Sequence, residues 1–147
     1  MTDLVHLSAI ELTARYKDGT LSPVEVTKAV FERIDERNEA VNAFIQLDRE
    51  GALKQAGKSE ARWARCKPKG PLDGVPLSIK EHIDVKGWPS RNASPVIPAS
   101  HRADADAPVT ARLRGAGGII LGKTATPVFC WKGVTDSALY GVSRNPW

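Results

Sequence analysis

Gly74-Val75-Pro76-Leu77-Ser78-Ile79-Lys80-Glu81-His82-Ile83-Asp84-Val85 is the stretch on which the fold turns. Val75, Leu77 and Ile79 alternate with Pro76, Ser78 and Lys80, so an extended chain puts three apolar side chains on one face and Ser78 with Lys80 on the other. Lys80 is then the last residue of a strand. In open α/β sheets the carboxyl ends of strands line the ligand crevice, where the chain that follows can screen a lysine from water. A screened ammonium loses hydration, which favours the neutral amine, and a neutral amine is a base. The competing reading is a solvated lysine kept protonated beside Glu81 and Asp84, which on residue type alone is the commoner case.

Upstream, three helices are spelled out. Ser8 with Glu11 forms a capping box, after which Ile10, Leu12 and Tyr16 give an amphipathic helix that Asp18-Gly19 ends. Ser22-Pro23-Val24-Glu25 opens a second helix with a cap, a first-turn proline and an N3 glutamate. Val26, Val30, Phe31 and Ile34 recur there at helical spacing, against a wet face of Lys28, Glu32, Arg33 and Asp35. Val41–Leu47 reads as a short strand, and Asp48 caps a third helix running to about Cys66, with Leu53, Ala56 and Trp63 as its packing stripe. Lys67–Gly74 is a turn-rich connection into the Lys80 strand.

Downstream, Trp88–Ala107 carries Pro89, Pro95 and Pro98 and predicts a long loop, of a length that in a compact domain is usually functional or disordered. It follows Lys80 directly, as a wall of the crevice would. Asp106 can cap the next helix, with Pro108 in its first turn and Leu113 as an anchor, and the glycines at 115, 117 and 118 stop it. Ile119–Leu121 then predicts a buried strand of a parallel sheet. Gly117–Thr124 also satisfies the phosphate-loop pattern Gly-x-x-x-x-Gly-Lys-Thr, but such a loop lies between a strand and a following helix. Here a helix precedes it and its interior is Ile119-Ile120-Leu121, so a strand is expected instead of a nucleotide site.

Other chemistry finds little support. His82 with Asp84, and His101 with Asp104 and Asp106, lack the spacing that aims ligands at one point, so no metal is expected. No Gly-x-Ser-x-Gly or Ser-x-x-Lys motif occurs, so Ser78, Ser90 and Ser94 are not obvious nucleophiles. The 147 residues are 41% apolar and 26% charged, as in a soluble globular protein, and the net charge of +4 is dispersed. Its densest basic group, Arg62, Arg65, Lys67 and Lys69, falls at a helix end with only Trp63 beside it, which is not a nucleic-acid footprint. Cys66 and Cys130 lie far apart and read as free thiols of a reducing compartment. No signal-peptide pattern or bilayer-length apolar run appears, which places the expected location in the cytoplasm and makes Asn92-Ala93-Ser94 an accidental glycosylation acceptor.

Gly74–Val85, Asp106-Ala-Pro-Val-Thr-Ala-Arg-Leu-Arg-Gly-Ala-Gly-Gly-Ile-Ile-Leu-Gly-Lys-Thr124 and Thr135-Asp-Ser-Ala-Leu-Tyr-Gly-Val-Ser-Arg-Asn-Pro-Trp147, in that order, resemble the opening half of the amidase signature family. The resemblance runs in register from Gly70 to Trp147. It implies an α/β fold with a mixed β-sheet covered by helices, in which 1–147 is the incomplete N-terminal part of a single domain, 1–66 mainly helical and 70–147 the start of the signature core. It further implies a hydrolase of carboxylic amide C–N bonds that uses a nucleophilic serine, a bridging serine in a cis peptide and a lysine, without a cofactor. Lys80 matches the lysine. The two serines belong, in the family, to a Gly/Ser-rich segment shortly after the Arg-Asn-Pro-Trp motif, so residues 1–147 alone are expected to be inactive.

By position, Cys130 and Trp131 fall where relatives line the acyl pocket, with ordinary core packing an equal alternative. Glu81, Ala125 and Val128 stand where members usually carry Asp, Asn and Glu, which bars transferring a substrate from one subfamily. The expected partner is a small-molecule amide, with no nucleic acid and no membrane, and with a homodimer as the assembly to look for. Two rivals stay open: a subunit that supplies ammonia to a mischarged tRNA, and a catalytically inactive truncated or binding module. Since neighbours along a strand point to opposite faces, Glu81 is expected not to meet Lys80, and Glu81→Gln to change the turnover rate little.

Overall fold

The computed structural model of the chain describes residues 4–147. The architecture is mixed α/β, and the chain forms two compact units. The first gathers the chain up to Glu36 with Asp48–Leu77 and Arg112–Leu121; the second gathers Arg37–Leu47, Ser78–Ala111 and Gly122–Trp147.

In the first unit, helix α1 (Ala9–Lys17) opens on the expected capping box, with Ser8 Oγ accepting from the Glu11 amide at 3.3 Å and Glu11 Oε2 accepting from the Ser8 amide at 2.8 Å. Leu12 and Tyr16 are buried, but Ile10 is 81% exposed, so the inward stripe of this helix is narrower than expected. Helix α2 (Pro23–Val41) buries Pro23, Val26, Thr27, Phe31 and Ile34. Leu12, Tyr16, Val26 and Val75 form one core cluster, against which Trp63 packs with its ring centroid 6.1 Å from that of Tyr16. Each such fully buried large side chain contributes about 1.5–3 kcal/mol.

Helix α3 (Arg49–Trp63) begins where Asp48 accepts from the Gly51 amide at 3.0 Å. It ends three residues before Cys66, because Cys66 turns left-handed (φ 52°) and the Lys67 amide closes back on the Arg62 carbonyl at 3.0 Å. Much of the turn after it is organised by one buried carboxylate, Asp73. Its oxygens accept from Ser59 Oγ (2.7 Å), the Lys69 amide (2.7 Å), Arg62 Nε (2.8 Å) and Arg62 Nη2. Burial pushes the Asp73 carboxyl up, but the bonds from Arg62, Lys69 and Ser59 outweigh it and leave the group below the ordinary carboxylate range. A depressed carboxyl stabilises the fold above its unfolded value and loses that contribution as pH falls through the folded one. Acidification between about pH 5 and pH 2 should therefore shift the urea midpoint of the parent more steeply than that of Asp73→Asn, and parallel curves would refute this role.

The second unit holds β1 (Phe44–Leu47), which starts later than Val41. Val41 is still helical, and Asn38 then takes over the backbone: its Oδ1 accepts from the Ala43 and Phe44 amides at 3.0 and 2.7 Å, while Asn42 turns left-handed (φ 51°). Strand β2 (Pro76–Lys80) ends at Lys80 as the alternation predicts, with Ile79 buried and Ser78 and Lys80 exposed. The irregular Trp88–Ala107 segment follows, and helix α4 (Pro108–Gly115) begins at the expected proline. Asp106, two residues ahead of it, accepts from the Lys86 amide at 2.7 Å.

Strand β3 (Ile119–Thr124) is longer than its apolar core suggested. The sheet order is β1-β3-β2. β1 pairs antiparallel with β3, Phe44 opposite Thr124 and Leu47 opposite Gly122. β3 runs parallel to β2, since the Ile119 amide bonds the Val75 carbonyl at one end and the Glu81 amide bonds the Thr124 carbonyl at the other. The sheet is thus mixed: β3 has β2 as a parallel neighbour and pairs antiparallel with β1 over Gly122–Thr124, where the sequence predicted a parallel sheet. The phosphate-loop pattern is a strand from Ile119 onward, so it cannot wrap a phosphate with its backbone amides. A short hairpin, β4 (Asp136–Ser137) with β5 (Gly141–Val142), was not legible in the sequence. No helix among the described residues is long and apolar enough to cross a membrane.

Candidate active site

Two lysines at the ends of neighbouring strands have opposite environments. Lys80, at the end of β2, is exposed, and its ammonium has no hydrogen-bond or ion-pair partner among the described residues. The loop that follows does not screen it. His82, two residues on, is held below the usual histidine range by partial burial and by the Lys80 charge, which disfavours a second cation nearby.

The lysine that the loop does screen is Lys123, on β3, which is fully buried. Its Nζ donates to the Glu81 carbonyl (2.8 Å), the Pro89 carbonyl (2.6 Å) and Ser90 Oγ (2.7 Å). Burial lowers the Lys123 ammonium, and the charges of Glu81 and Asp84 oppose that fall. Three convergent acceptors are what make a buried ammonium tolerable.

Glu81 is buried almost as deeply. Its carboxylate accepts from the Arg91 amide, the Ala93 amide (3.1 Å) and the Tyr140 hydroxyl (3.4 Å). Burial first, and the Glu81 charge second, push the Tyr140 phenol up to about 12. The held amides fall in a strained stretch, since Asn92 and Ala93 both adopt left-handed backbone (φ 50° and 52°). Glu81→Gln would aim an amide NH₂ at one of these N–H donors. It is therefore expected to cost about 1–3 kcal/mol in a denaturation midpoint, not to be neutral, and an unchanged midpoint would show that the carboxylate charge is dispensable there.

Cys130 and Trp131 lie in the turn after β3. Cys130 Sγ is 2.8 Å from Thr126 Oγ1, and Phe129 and Cys130 are both left-handed (φ 50° and 57°). Trp131 is 76% exposed and Phe129 58%, so neither is packed in the core of the described residues. No hydrogen bond joins Lys80 to Cys130 or Trp131 among them. Sequence reasoning treated Lys123 only as a letter of the phosphate-loop pattern and weighed Ser90 only as a nucleophile. The available signal was a lysine closely following the apolar run Ile119-Ile120-Leu121 in one strand.

A mixed sheet covered by helices, with a lysine at the carboxyl end of a strand that has no partner among the described residues, places the chain in the α/β class. The amidase family profile matches residues 25–147. The chain belongs to the amidase signature family. It is 40% identical over 147 residues to the A-type subunit of a glutamyl-tRNA(Gln) amidotransferase from Salinispora arenicola, covering 100% of this chain and 30% of that one. It is also 40% identical over 141 residues to an acylamidase of Rhodococcus erythropolis, covering 96% of this chain and 29% of that one. Among solved structures, a bacterial aryl acylamidase of the amidase signature enzymes superposes with a TM-score of 0.85 at 30% identity, over 95% of this chain and 29% of that one. The native peptide amidase of Stenotrophomonas maltophilia gives 0.86 at 29%, over 97% and 30%. The chain thus spans about 30% of the length of these relatives.

Proposed function

We propose that these residues supply the lysine of an amidase that hydrolyses a carboxylic amide through a Ser-cisSer-Lys relay. The observation that carries this reading is the placement of Lys80: last residue of β2, unpartnered, in the segment that matches the family. In this reading neutral Lys80 takes a proton from a bridging serine, which takes one from the nucleophilic serine as it attacks the amide carbonyl, and both serines lie outside residues 1–147. Backbone donors near those serines would hold the oxyanion. The exposure of Trp131 supports its assignment, with Cys130, to the acyl pocket. The partner is a small-molecule amide, with no cofactor, and the setting cytoplasmic.

A second reading, an A-type subunit of an amidotransferase, is favoured by the equal 40% identity to that group and to the acylamidase. The test is to offer the protein, expressed from its complete reading frame, an anilide, an aliphatic primary amide and glutamine. Unaided hydrolysis of either of the first two is expected. Glutamine turnover seen only with partner subunits and mischarged tRNA would replace the first reading by the second, and turnover of none would sink both.

A further inference from the structure

We propose that Lys123 is a positioning residue for Lys80, acting through the Glu81 peptide that it clamps to the Pro89–Ser90 turn. The kinetic half of this rests on the reading of Lys80 as the base; the clamp does not. Glu81 is held through every polar group it has. Its amide bonds the Thr124 carbonyl at 2.9 Å, its carbonyl receives the Lys123 ammonium at 2.8 Å, and its carboxylate receives the Arg91 and Ala93 amides and the Tyr140 hydroxyl. Lys80 is bonded to that immobilised residue, so the origin of its side chain is fixed although its tip is free.

The chemistry of the cluster demands a lysine at 123. Two of its acceptors are carbonyls, which only accept, and the third is the hydroxyl of Ser90, itself buried. A compact group with three donors radiating from one atom meets all three. The planar fork of arginine spreads its donors over several atoms and is bulkier than a fully enclosed site accepts. Methionine has the length and no donor, and would leave both carbonyls unpaired. The Pro89–Ser90 turn then loses its bonds to β3, and the Glu81 peptide keeps only its amide bond to Thr124. A displacement of a reacting group by about 1 Å can cost on the order of 10²-fold in rate.

In the protein expressed from its complete reading frame, Lys123→Met should lower kcat for amide hydrolysis by about 100-fold with KM little changed, at a temperature well below its melting midpoint. Lys123→Arg should not rescue it. In a Lys80→Ala background the same change should cost nothing further, whereas a role confined to stability would leave the two losses multiplicative. Hydrogen exchange of the Glu81 amide and of the 88–94 segment should quicken in Lys123→Met. Should Lys80→Ala prove fully active, the base reading fails, and exchange alone judges the clamp: unchanged protection overturns it. If Lys123→Met does not fold, Ser90→Ala removes one acceptor of the three and should lower kcat in the same direction with KM held. Unchanged kcat in either folded variant overturns the proposal.

Discussion

Replacing Lys80 by alanine, in the protein expressed from its complete reading frame, should lower the rate constant for amide hydrolysis by about 10³-fold, within the range that a positioned base contributes. Arginine at the same place should cost nearly as much. It keeps the charge and the reach, but it cannot give up its proton at any pH a protein survives, and a base must be empty before it can accept. The two substitutions separate two roles that a static lysine cannot distinguish. A relay needs a neutral amine at Lys80; a fixed cation needs only positive charge near a developing oxyanion. Lys80 is exposed and the 88–107 loop does not cover it, so the relay reading requires other groups to exclude water from it. The measurement is kcat of the parent, Lys80→Ala and Lys80→Arg across pH. If the arginine variant keeps most of the parent activity, Lys80 works as a charge and the relay is wrong.

The elements that were legible in the sequence are those whose instructions are local. The capping box at Ser8 and Glu11 sits within one helical turn, and the alternation from Val75 to Lys80 within one strand, so both appear where the pattern places them. Val41 does not start a strand because a side chain, Asn38, competes for the backbone amides of Ala43 and Phe44, which no period reveals. Lys123 escapes notice for the opposite reason. Every residue from Ile119 to Lys123 is buried, so alternation carries no information there, and its acceptors come from a loop more than thirty positions away. The place of Lys80 at a strand's carboxyl end allowed either a screened or a solvated lysine; the structure leaves Lys80 exposed and screens Lys123, because the loop bonds to β3. Nothing local marks Glu81 as buried and bonded, because its partners, Arg91, Ala93 and Tyr140, are ten or more residues downstream.

Gly122→Ala should be among the most damaging single-methyl additions in this chain. A Cβ at Gly122 would stand 2.1 Å from the Gln46 carbonyl oxygen and 3.0 Å from the Leu47 Cα, and both are backbone atoms that no rotamer change can move. Relief requires β1 to leave β3 where Leu47 faces Gly122 and Gln46 faces Lys123, next to the register irregularity between Phe44 and Gln46. The glycine that completes the phosphate-loop pattern is therefore required by a close strand approach. The expected cost is about 3 kcal/mol or more, the upper end of overpacking, which lowers the melting midpoint by roughly 10 °C. Gly57→Ala supplies the control. It lies inside α3 with nothing within 4 Å of the added Cβ, and should stabilise by up to about 1 kcal/mol through helix propensity. The same chemical change should thus act with opposite sign at two positions, read as urea midpoints at constant slope. A Gly122→Ala protein as stable as its parent would mean that β1 does not approach β3 as closely as this register requires.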